Sequence, residues 1–208
     1  MAPGDALLYP IAGRVDYDDR RAIYWEPNER TEKEIVGLPR NVNSRRVRRR
    51  HRIAVYSDYV DFDLAFAMRH ELEHARQFEC HGRGLGEVHG LIEDMLRGEG
   101  NALYNAMPME HDANGAAASF VRAIFPVDYL RDRISAGSVL GDEFWSHEAP
   151  LPVESLRTRT ADYLIDEYPR CIRWAGDAAT FRFRLRRAWP DFVDEWQTLA
   201  RERGHSGA

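Results

Sequence analysis

The segment Ala67-Met68-Arg69-His70-Glu71-Leu72-Glu73-His74-Ala75-Arg76-Gln77 constrains this chain more than any other. Two histidines stand four residues apart, with Ala65, Phe66, Met68, Leu72, Ala75 and Phe78 around them. That spacing predicts a helix, because positions i and i+4 share one helical face. Asp61 or Asp63 can cap it, it begins near Leu64, and Gly82 should end it. Two neutral imidazoles on one face can reach a single ion, and zinc suits such ligands. Glu71 then lies beside the metal rather than on it. From there its carboxylate can take a proton from a metal-activated water and hand it to a leaving amine.

A catalytic zinc usually has three protein ligands and one open position. Four residues compete for the third place. Cys80 stands six residues after His74, but Gln77 occupies the position where a glycine would let the chain turn back. His81 and His89 sit at no recognised spacing. Glu110 has the best support. Pro108 opens a predicted helix that runs to about Ile124, before Pro126. On it Glu110 and Asn114 share a face, and Ala113, Ala116 and Ala117 allow close packing. Asn114 is placed to hold a ligand histidine by its outer ring nitrogen.

His70-Glu71-Leu72-Glu73-His74, followed by Glu110-His111-Asp112-Ala113-Asn114, resembles the HExxH and ExxAN pair of gluzincin-type metallopeptidases. The continuation through Phe120 to Pro126 looks like the ImmA/IrrE group. The resemblance covers roughly residues 50–126. It implies a Zn2+ site of His70, His74 and Glu110, with Glu71 as the general base and a peptide or protein as substrate. It also implies a zincin-like α+β fold, with a small β-sheet packed on the HExxH helix and on the glutamate-bearing helix. The chain departs from the pattern at Glu73, Arg76, Asp112 and Gly115. A charge at Glu73 means that this face meets solvent, or meets Arg69 or Arg76. Gly115 inside a helix costs about 1 kcal/mol relative to alanine.

Elsewhere the pattern is coarser. Residues 1–44 show short apolar pieces, Leu7–Tyr9, Ala22–Trp25 and Glu34–Val36, between turn residues, which reads as short strands. Ile53–Phe62 reads as a longer strand. Gly84 and Gly86 suggest a turn, and Glu87–Leu96 an amphipathic helix. Leu156–Tyr168 is a helix closed by Pro169. Phe181, Leu185, Trp189, Phe192, Trp196 and Leu199 form a helical stripe that Pro190 must kink or split. Phe181–Leu185 also alternates like a strand. Trp145 and Trp174 read as core. The expected organisation is a metallopeptidase core over residues 1–130, β-rich at its start, and a mainly helical extension over 131–208.

Charge and cysteine content limit the function classes. The 208 residues carry a net charge of −5, with 30% charged residues of both signs, which gives no pull toward nucleic acid or an anionic membrane. The start of the chain lacks a basic region and a long apolar stretch, and no apolar run suits a membrane span. Cys80 and Cys171 cannot build a disulfide framework, so a reduced cytoplasmic protein is expected. The run from Arg45 to Arg52 is the one strong charge cluster, suited to an acidic docking partner if not simply solvated. Tyr104, His111, Tyr129, His147 and Tyr163 are open candidates for an oxyanion donor. Three functions follow: an active zinc peptidase, a catalytically silent partner-binding or regulatory protein on the same scaffold, or a helical domain in which HExxH is accidental.

Overall fold

Gly82 closes the first long helix at a φ of +74°, where only glycine is at ease, and its amide bonds to the carbonyl of Phe78 at 2.8 Å. The computed structural model describes residues 13–18, 24–27, 50–55, 61–97, 101–136 and 140–205, the first three ranges as backbone only. The helices are α1 (Asp61–His81), α2 (Arg83–Leu96), α3 (Asn101–Asn105), α4 (Pro108–Ile124), α5 (Val127–Ser135), α6 (Leu156–Asp166), α7 (Tyr168–Ala175), α8 (Ala178–Ala188) and α9 (Pro190–Glu202). Short 3-10 turns lie at Asp142–Ser146 and Val153–Ser155.

Three strands precede the helices: β1 (Gly13–Asp18), β2 (Tyr24–Pro27) and β3 (Arg50–Val55), in the order β1-β3-β2. Val15 pairs with Ile53 antiparallel, and Trp25 with Ile53 parallel. The expected strand over Ile53–Phe62 ends early, at Val55, and α1 starts at Asp61. The expected strands at Leu7–Tyr9 and Glu34–Val36, and most of the Arg45–Arg52 run, lie outside the described residues.

The expected α+β class does not hold. Wherever residues 61–205 are described they form helices, turns and irregular segments, with no strand and no sheet. The reason lies in what covers the helices. The apolar side of α1 that the expectation assigned to a sheet meets other helices instead. Phe62 and Phe66 of α1 join Ala117, Ala118 and Val121 of α4, Leu130 and Ile134 of α5, and Phe144 in one core cluster. Small residues on α4 let the aromatic rings of α1 lie close.

By proximity of Cα atoms the chain divides into two units, Met1–Ala75 with Asp112–Pro150, and Arg76–His111 with Leu151–Ala208. The core just described belongs to the first. In the second, α8 packs on α9, α7 and α2, and α6 packs on α9. Phe181, Leu185, Trp189, Phe192 and Trp196 are buried there, so the stripe is helical and the strand alternative at Phe181–Leu185 falls. Pro190 splits it into α8 and α9, standing in the first turn of α9 where its missing N–H costs nothing. Pro169 likewise opens α7 rather than merely closing α6.

Gly84 and Gly86 correct a second expectation, since both lie inside α2 rather than in a turn. A Cβ on Gly84 would stand 2.4 Å from Cδ1 of Trp189, so the glycine admits the indole ring against the helix backbone. Trp145 is exposed, not core, and meets buried Phe144 edge-on, while Trp174 is half-buried under the Arg184 guanidinium. Among the described residues no helix is long and apolar enough to cross a membrane. Cys80 is exposed, Cys171 is buried, and neither forms a disulfide.

Candidate metal centre

The i, i+4 spacing on α1 brings the two imidazoles edge to face, with Nε2 of His70 and Nε2 of His74 3.0 Å apart. His70 is half-buried and stacks on Phe66, while His74 is 6% exposed. The outer nitrogen of His70, Nδ1, donates to Oδ1 of Asn114 at 2.9 Å. That bond determines the tautomer. With the proton on Nδ1, the lone pair of neutral His70 sits on Nε2 and faces His74. Asn114, which the sequence placed to reach the outer nitrogen of a histidine, bonds to that nitrogen of His70.

Glu110 stands in the first turn of α4, where the helix dipole favours a carboxylate, and is 2% exposed. One ligand atom from each of His70, His74 and Glu110 lies within 4.8 Å of the others. Two imidazole nitrogens and a carboxylate oxygen are the donor set of many zinc sites. Two nitrogens bound to a tetrahedral zinc at the usual length stand about 3.3 Å apart, close to the spacing here. This group could hold a metal ion. Glu71 is buried at 4% exposure, one residue from His70 on the same helix.

Two side chains that the sequence offered for other roles converge on Glu110. The Tyr104 hydroxyl donates to its Oε1 at 2.9 Å, and His89 Nε2 stands 2.9 Å from the same oxygen. His89 had been a rival third ligand. It lies outside the metal-capable group and contacts the carboxylate of that group instead. Gln77 is fully buried and donates to the carbonyl of Met109 at 3.0 Å. It ties α1 to the first turn of α4, one residue before Glu110.

The remaining candidates lie outside the metal-capable group. His81 Nε2 donates to the carbonyl of Val153 at 2.6 Å, and Cys80 is exposed. Tyr129 stacks on Phe125. Tyr163 is held back in α6, where burial pushes its hydroxyl up to about 12. His111 is half-buried. His147 stands 6.3 Å from Phe66, ring to ring, and its carbonyl accepts from Arg122.

Two departures from the zincin pattern gain a physical reason. Glu73 is fully buried and bonded to Arg69 at 2.9 Å, so of the expected surroundings a basic neighbour is realised and solvent is not. At Gly115 a Cβ would stand 2.1 Å from the carbonyl oxygen of Glu148. The chain at 148–150 crosses α4 there, beside Asn114, and only glycine admits it. No family model, curated protein or solved structure matches this chain.

Proposed function

We propose that this chain is a zinc-dependent peptidase. One observation carries the reading: His70, His74 and Glu110 present their ligand atoms together, and buried Glu71 lies on the same helix between the histidines. Zinc, when bound, supplies a Lewis acid that acidifies water and polarises a carbonyl. The protein's own groups supply the rest. His70 is kept in the ligating tautomer by Asn114, and Glu110 is held by Tyr104 and His89. Glu71 takes the proton from the attacking water as the C–O bond forms. It then gives that proton to the amine as the C–N bond breaks.

The test uses untagged protein. Metal analysis should find close to one zinc per chain, and a mixed peptide library should be cleaved without chelator and spared with it. Glu71→Gln should keep the zinc and slow cleavage by about 10²–10⁴-fold, the usual share of a general base. A wild-type chain that takes up no zinc overturns the reading. A chain that holds zinc and cleaves nothing supports instead the silent, partner-binding protein on the same scaffold.

A further inference from the structure

Helix α8 carries Arg182, Arg184, Arg186 and Arg187 and no carboxylate, in a chain whose net charge is −5. On a helix of 3.6 residues per turn, Phe183, Arg187 and Arg184 fall within one face about 100° wide. Phe183 is 68% exposed, the most exposed large apolar side chain among the described residues. The first turns of α2 lie across from α8. Arg83, Glu87 and Leu91 from α2 line a groove of about 560 Å³ with Arg184, Arg187 and Pro190. Three arginines there face one glutamate. The start of α2 has no side-chain cap and no acidic residue in its first turn, so its positive dipole end adds to the field.

The ties on these cations are weak. Arg83 reaches Glu87 at 2.7 Å, but both are exposed, and such i, i+4 pairs contribute little in water. Arg184 lies 4.4 Å over the Trp174 ring, which leaves the in-plane donors of its guanidinium available. Arg187 is exposed and has no ion-pair partner among the described residues. We propose that this groove docks an acidic peptide segment, with carboxylates on Arg187 and Arg184 and an apolar side chain against Leu91 and Pro190. Arginine offers two parallel donors to a carboxylate, and the apolar floor adds burial that a bare anion would not use. A nucleic acid fits less well. Its continuous phosphates need an unbroken stripe of cations, and here Glu87, Asp191 and Asp194 border the arginines. The inference is independent of the metal centre.

The probe is a fluorescein-labelled octapeptide library, half acidic with leucine and phenylalanine between, followed by anisotropy. Its counterparts replace the acids with lysine or use an oligothymidylate of equal length. The acidic library should bind, and added salt should weaken it. Arg184→Ala with Arg187→Ala should weaken binding at least about tenfold, while Arg131→Ala on α5 leaves it unchanged. Because Arg184 also packs on Trp174, Arg187→Glu alone provides the reading if the double variant melts early. Equal binding of acidic and lysine libraries, unchanged binding by the variants, no binding, or tighter binding of the oligothymidylate would each overturn the proposal.

Discussion

Helices α1 and α4 bury what α7, α8 and α9 exclude. Nine polar or charged side chains are buried among the described residues, and eight of them lie on α1 and α4: Asp63, Glu71, Glu73, His74, Gln77, Glu110, Asp112 and Asn114. Helices α7–α9 bury Tyr168, Cys171, Phe181, Leu185, Phe192, Val193 and Trp196. Among these buried side chains the Cys171 thiol is kept neutral by burial, which pushes it up to about 12. Burying carboxylates opposes folding unless partners or a cation compensate, whereas burying aromatic rings drives it. The two regions are thus organised for different ends. One holds charge in place at the expense of stability, and the other supplies cohesion.

The largest test of that contrast removes a buried carboxylate without removing its shape. Glu110→Gln keeps an acceptor for Tyr104 and His89 but loses the anionic ligand, so zinc should pass readily to a mild chelator. The metal-free variant should nonetheless unfold no earlier than metal-free wild type, because a buried charge has gone. A lower melting temperature with zinc retained would break the comparison. The opposite result is expected across the chain. Trp196 is fully buried against Tyr168 and Phe181, at ring distances of 5.8 and 5.4 Å. Trp196→Ala should lower unfolding free energy by about 3–5 kcal/mol in urea titrations. A loss below about 1 kcal/mol would mean that α8 and α9 are not the cohesive part.

A finer test concerns the groups that orient Glu110. His89→Ala and Tyr104→Phe leave all three candidate ligands in place, yet each should weaken zinc binding by about 10–100-fold, measured by competition with a chromophoric chelator. Undiminished affinity in both would reduce the two contacts to incidental packing. The smallest effect is expected in alkali. For Cys171 the folded value lies above the unfolded one, so its contribution is intact below about pH 9 and declines as pH rises toward about 12. Cys171→Ala should therefore flatten the fall of melting temperature over that range. A thiol reagent in the native state should modify Cys80 alone, since Cys171 is buried.

How far the chain could be read from its residues differs from element to element. The start and end of α4 at Pro108 and Ile124 and the stop of α1 at Gly82 were legible, because proline and glycine act through local backbone geometry. The pairing of His70 with His74 was legible for the same reason, since four residues on a helix are neighbours whatever surrounds it. The helical identity of Phe181–Leu185 was not. Short alternation and helical recurrence coincide over five residues, and burial of Phe181 and Leu185 beside Trp189 settled it. Nor was the fold class, because the same apolar face of α1 could have been covered by a sheet.

By itself, then, the sequence determined the helical frames and the chemistry of the residues near in chain order: two imidazoles and a carboxylic acid on α1, a carboxylate and an amide on α4. Only the tertiary structure decided that Gln77 would tie α1 to Met109, that His89 and Tyr104 would meet on one oxygen of Glu110, and that Gly84 would admit Trp189 and Gly115 the chain at Glu148. Local propensities act within a turn or two and are written in adjacent residues. A hydrogen bond or close approach between residues of different elements depends on how those elements pack, and no single residue type announces it.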